Sequence, residues 1–161
     1  MENRPFLPAR LFRRPPRVNI VRLQGMIAAG GRGQLSDASV APLVERAFRA
    51  GKPKAVGLVV NSPGGSPVQS ALIGARIRRL ADETKVPVHA FVEDAAASGG
   101  YWIACAADEI YCDAASILGS IGVISAGFGL QGAIARLGVE RRVHTAGQSK
   151  SQMDPFRPEN P

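Results

Sequence analysis

Apolar and polar positions follow two periods along this chain, and the periods take turns. "RVNIVRLQG" (17–25) alternates and then runs apolar, which predicts a first strand. "KAVGLVV" (54–60) is a continuous apolar run, the pattern of a strand buried on both faces, and "VPVHAFV" (86–92) predicts a third strand. Helical spacing fills the gaps. Val40, Leu43, Val44, Ala47 and Phe48 form one apolar face, with cap candidates at 36–39 and a stop at Gly51. In "SPGGSPVQSALIGARIRRLADE" a turn leads into a helix with Leu72, Ile73, Ile77 and Leu80 facing inward. After the third strand come an alanine-serine-glycine turn and a short apolar helix begun by Tyr101 and Trp102. "EIYCD", "SIGVI" and "VERRVHT" predict further short strands, with "LQGAIARLG" a helix between the last two.

Alternating strands and helices joined by short loops define an α/β class with a mainly parallel sheet. Ligands in such sheets sit where strands end and helices begin. Two strand-to-helix turns are rich in glycine, "NSPGG" (61–65) and "AASGG" (96–100), and both should open on the same sheet edge. One run, 114–135, carries no charge over 22 residues, long enough to span a bilayer. Its five glycines, three serines and glutamine favour a buried strand with glycine turns instead.

Composition narrows the choice. The chain has 161 residues, enough for one domain with a real core. Its net charge of +7 is concentrated in "RPFLPARLFRRPPR" (4–17), with five arginines, four prolines and no acid. Residues 1–17 thus read as an extended basic arm and 18–161 as the folded domain. No basic patch interleaved with aromatics supports nucleic-acid binding. Cys105 and Cys112 lack metal-site spacing and are expected as buried free thiols. "GGRGQ" is neither a Walker loop nor a dinucleotide fingerprint, so no cofactor or metal is expected. No apolar run at the start has the form of a signal peptide or anchor, which leaves a cytoplasmic or membrane-peripheral location. The ending "DPFRPENP" suggests a domain lacking a closing C-terminal helix.

Two chemistries fit the glycine turns. N–H groups in "NSPGG" could face an oxyanion, or the segment could simply be a tight turn. Ser98, uncrowded by its three preceding alanines, is a candidate nucleophile that needs a base. His89 and His144 are the imidazoles available, and His89 fits a structural strand position. Lys52, Lys54 and Lys85 sit at helix-to-strand junctions, and Lys150 stands alone in a polar loop. A lysine base must lose its proton near neutral pH, which requires desolvation.

"VNSPGGSPVQS", "VEDAAASGGYWIACAADEIYCD", "GSIGVI" and "GVERRVHTAGQSKSQMDPF", in that order, resemble the signal peptide peptidase A (protease IV) family of serine proteases. The resemblance implies a Clp-protease/crotonase-like fold, a repeated β-β-α superhelix. It also implies a Ser–Lys dyad hydrolysing hydrophobic peptides such as signal-peptide remnants through an acyl-enzyme. Ser98 then matches the nucleophile, Lys150 the general base and Ser120 the residue orienting that lysine. Gly64, with Gly65 close behind, and Gly99 match the oxyanion donors. Homo-oligomers of the full-length protein are implied as well. The arm could touch anionic membrane in place of the family's usual anchor. Two rivals are a crotonase-type acyl-CoA enzyme using Glu93, and a non-catalytic binding relative.

Overall fold

A computed structural model of the chain describes residues 15–31, 33–147 and 149–158. Most of the basic arm lies outside the described residues. The chain forms two compact units, one within Met1–Gly122 and one within Val123–Pro161.

The first unit is built on five parallel strands. β1 (Val18–Gln24), β2 (Ala55–Ser62) and β3 (Val88–Ala97) lie side by side. β4 (Glu109–Cys112) pairs with the first half of β3, and β5 (Ile117–Gly119) with its end. Every pairing among these strands is parallel, as the α/β class requires. Helices α1 (Asp37–Arg49), α2 (Pro67–Thr84) and α3 (Gly99–Ala104) fill the crossovers.

Val21, Leu23, Val56, Leu58, Val60, Val88, Ala90 and Val92 point from the sheet into one core with Val44, Phe48, Ile73, Ile77, Leu80 and Ile103. Burial of this size is the main force holding the unit together. The opposite face carries Ile20, Phe91 and Tyr111, all exposed, with the two rings stacked 5.2 Å apart. Local chemistry sets the helix ends. Ser36 and Ser39 form a reciprocal capping box on α1, and Ser66 caps α2 ahead of Pro67. Arg76 ties the helices by bonding Asp37 of α1 at 2.7 Å and Glu45 at 2.8 Å. Gly74 of α2 faces α3, with Trp102 Cδ1 3.7 Å from where its Cβ would stand, an ordinary contact.

Several expectations need correction. Leu43 and Leu72 are exposed rather than inward, because each sits at the margin of its helix's apolar stripe. β3 continues past "VPVHAFV" to Ala97, and α3 begins at Gly99, before Tyr101. The strand expected in "SIGVI" lies earlier, as β5, and residues 120–130 form no helix or strand. Residues 139–145, expected as a strand, form none either. Strand propensity needs a neighbouring ladder to act on, and these segments have none. The run 114–135 is not buried, with Val123 91% and Ile124 93% exposed. Among the described residues no helix is long and apolar enough to cross a membrane. Both cysteines are free but exposed, one at the C-cap of α3 and one at the end of the edge strand β4.

The second unit contains helix α4 (Gln131–Arg136) within "LQGAIARLG". Gly138, at φ +65°, ends it: Gly138 N–H bonds Ala135 C=O at 3.1 Å and Val139 N–H bonds Ile134 C=O at 3.0 Å. The other described residues of this unit form no helix or strand.

Candidate active site

The "AASGG" turn joins β3 directly to α3, and Ser98 is its hinge. Ser98 has φ 51° and ψ −118°, a conformation that strains any residue with a side chain, by roughly 1–3 kcal/mol. Two bonds hold it there. Its N–H donates to Gly119 C=O at 2.7 Å, and its C=O accepts from Trp102 N–H at 3.0 Å. Its hydroxyl makes no capping bond to α3, and the residue as a whole is half-buried.

The "NSPGG" turn packs against this hinge. Ser62 is fully buried; its Oγ donates to Gly25 C=O at 2.7 Å and accepts from Gly64 N–H at 3.1 Å. Ile27 clips the turn from the other side, through Ile27 N–H to Gly64 C=O at 2.9 Å and Ser66 N–H to Ile27 C=O at 2.7 Å. That parallel bridge faces residue 27 with residue 65 and turns Gly65's own N–H the opposite way. Gly64, at φ +97°, touches the serine hinge. A Cβ on it would sit 2.6 Å from Ala97 O, 2.8 Å from Ser98 Cβ and 2.9 Å from Gly99 N. A Cβ on Gly99 would fall 2.2 Å from the Oγ of buried Ser70. Gly99 is the first residue of α3, where N–H groups have no acceptor within the helix.

β5 brings a further residue to this rim. Its register pairs Ala97 with Gly119, so Ser98 and Ser120 follow at adjoining strand ends. The first unit thus gathers Ser98, Ser120, Gly64, Gly65 and Gly99 at the C-terminal edge of the sheet. Lys150 belongs to the second unit, where its aliphatic stem lies beside Gly147. A Cβ on Gly147 would be 3.6 Å from Lys150 Cγ.

Other candidates lie elsewhere. His89 is in the first half of β3, its Nδ1 3.2 Å from a Glu109 carboxylate oxygen, in the structural position expected for it. Glu93 receives the guanidinium of Arg22 at 2.6 and 2.8 Å. A hollow lined by Arg17, Gly51 and Lys52 opens at the N-terminal ends of β1 and β2, the opposite rim. Among the described residues no group of three His, Cys, Asp or Glu is placed to hold a metal ion. Two carboxyls held below their usual range serve the scaffold. Asp37 is held by Arg76, and Asp108 by the Val88 N–H and then by Arg78.

Ser62, Ser70, Ile27 and Gly119 shape the rim and were not singled out by the sequence. The one signal for them was the serine within "NSPGG" itself.

Comparison with known proteins gives the family. The profile of Peptidase family S49 matches residues 81–161, a span that includes Ser98, Ser120 and Lys150. The chain therefore belongs to peptidase family S49. It is 34% identical over 151 residues to Protease 4 of Haemophilus influenzae, covering 91% of this chain and 24% of that one. It is 52% identical over 156 residues to a Brucella melitensis protein named Na(+)/H(+) antiporter NhaA, covering 95% of this chain and 21% of that one. The chain thus spans about a quarter or less of the curated relatives named here, and their two names describe different activities. The family profile, not either name, makes the assignment.

The fold is similar to that of the 1510-N membrane-bound stomatin-specific protease, solved with its serine or its lysine replaced by alanine, the latter with a substrate peptide. The TM-scores are 0.53 and 0.51, at 20% and 19% identity, each over 70% of this chain and 51% and 48% of the other.

Proposed function

We propose that this chain carries the catalytic centre of a serine endopeptidase that uses Ser98 as nucleophile and Lys150 as general base. The observation that carries this reading is the strained Ser98 hinge seated directly against the Gly64 turn. Neutral Lys150 takes the proton from Ser98 Oγ, and the oxygen attacks a peptide carbonyl carbon. The N–H of Gly99 and one N–H of the glycine turn receive the developing oxyanion, each lowering the barrier by ~3 kcal/mol. Gly64 N–H is already engaged by Ser62 Oγ, which favours Gly65 as the second donor, the reverse of the order the resemblance implied. Lys150 returns the proton to the leaving amine, and water hydrolyses the acyl-enzyme. Ser120 Oγ orients Lys150.

Apolar peptides, including signal-peptide remnants, are the proposed substrates. A homo-oligomer and contact of the basic arm with anionic membrane accompany this reading. The acyl-CoA alternative is disfavoured because its glutamate, Glu93, is paired with Arg22.

Mass spectrometry of an apolar, signal-peptide-like peptide tests the proposal, comparing wild type with Ser98→Ala and Lys150→Ala over about pH 6 to 10. Cleavage by wild type alone, with a rate rising toward alkaline pH, is expected. Equal cleavage by all three sinks the dyad. A silent wild type under every condition favours the binding relative.

A further inference from the structure

Lys150 sits in a loop, yet a general base must be held to within about 0.5 Å of its productive geometry. The bonds of the second unit show what holds this loop. Ser151, the next residue, accepts Asp154 N–H at its C=O (3.3 Å) and Arg157 Nη1 at its Oγ (2.7 Å). Asp154 C=O in turn accepts Arg157 N–H at 3.2 Å. The Asp154 side chain, only 5% exposed, pairs with the Arg141 guanidinium and accepts Phe156 N–H at 3.0 Å. Arg141 also lies over the Phe156 ring, 5.1 Å from its centroid. Pro155 C=O accepts Leu130 N–H at 2.6 Å, which ties the same loop to the residue preceding α4.

We infer that Arg141, Asp154 and Phe156 form a latch that positions Lys150 for catalysis. This rests on the reading of Lys150 as the base. The latch closes the loop directly behind the lysine while leaving the lysine itself outside its bonds. A guanidinium suits the task because Nη1 meets the carboxylate while the group lies over the Phe156 ring. The shielding of Asp154 separates this pair from an ordinary surface ion pair, whose contribution is small. Arg141, and to a lesser degree the Phe156 N–H and Arg157, hold the Asp154 carboxyl below its usual range. A carboxylate, shifted or not, is ionised throughout the alkaline range in which a lysine becomes neutral, so the ion pair persists while the base works.

The test is steady-state peptide cleavage by the full chain carrying Asp154→Asn, Arg141→Gln or Asp154→Glu, with Lys150→Ala alongside. Thermal unfolding is followed on each sample. Asp154→Asn and Arg141→Gln are expected to lower kcat at least ~10-fold, with KM within ~2-fold and unfolding midpoints close to wild type. Asp154→Glu, which keeps the charge opposite Arg141, is expected to recover much of the rate. Unchanged kcat in both neutral variants, with Lys150→Ala inactive, overturns the latch and leaves the dyad standing. Loss of rate matched by an equal loss of folded protein, without recovery in Asp154→Glu, reduces the cluster to a stability element and overturns it too. Full activity in Lys150→Ala removes the dyad and the latch together.

Discussion

Glycine does opposite things at the sheet-edge turns of this protein and in the run 122–132. At Gly64, Gly65, Gly99 and Gly100 the missing side chain is space already taken, with other atoms 2.0 to 2.7 Å from where a Cβ would stand. At Gly122, Gly127, Gly129 and Gly132 nothing lies within 4 Å of that point. The apolar side chains divide the same way, Leu23 and Ile73 fully buried and Phe128 85% exposed. Glycine content alone therefore marks no site. What marks one is a glycine whose replacement collides with a second turn.

Replacing the crowded and the open glycines is the strongest way to break this contrast. Gly64→Ala is expected to lower peptide cleavage more than ~100-fold and stability by ~2–4 kcal/mol, through collision and a φ of +97°. Gly132→Ala, on the open face of α4, should leave cleavage intact and raise stability by up to ~1 kcal/mol. Cleavage assays with denaturant titration read both, and similar losses from the two would erase the distinction.

Core truncation gives the next largest difference. Ile77→Ala should cost ~2–4 kcal/mol and Val123→Ala less than ~0.5 kcal/mol, by shifts in denaturant midpoint. At the hinge, Ser98→Gly and Ser98→Ala should both be inactive, with the glycine variant more stable by ~1 kcal/mol because it relieves a φ of 51°. Equal unfolding temperatures would show that the serine is not strained.

The smallest effect concerns acid. Asp37 has its folded-state pKa lowered, first by its hydrogen bond from Arg76. Its contribution is present above the unfolded value of about 4 and is lost as pH falls through the depressed folded value. Asp37→Asn should cost ~1 kcal/mol at neutral pH and flatten the acid limb of stability against pH. An unchanged acid limb would assign that transition to other carboxylates.

The first half of the chain was legible because its elements carry their own signals. "KAVGLVV" can hardly be other than a central strand, and Ser36 and Gly51 punctuate α1. The turn chemistry of "NSPGG" and "AASGG" was equally local, so their shared edge followed from parallel topology alone. Three features were not local. "SIGVI" and "VERRVHT" look like strands by composition but have no ladder to join. Leu43 and Leu72 lie where a helical stripe meets solvent, a boundary set by the neighbouring helix and not by spacing. The clip between Ile27 and the glycine turn joins residues far apart in sequence through backbone atoms, which no side-chain pattern records.

The bond from Ser98 N–H to Gly119 C=O has a consequence for the order in which the protein is made. Synthesis proceeds from the N-terminus, and domains fold as their chain emerges. A nascent chain that has released Ser98 but not β5 already holds the hydroxyl, without the carbonyl that fixes its backbone angle. The proposed nucleophile is therefore present in the chain before its backbone is fixed, and it is fixed only when residue 119 arrives.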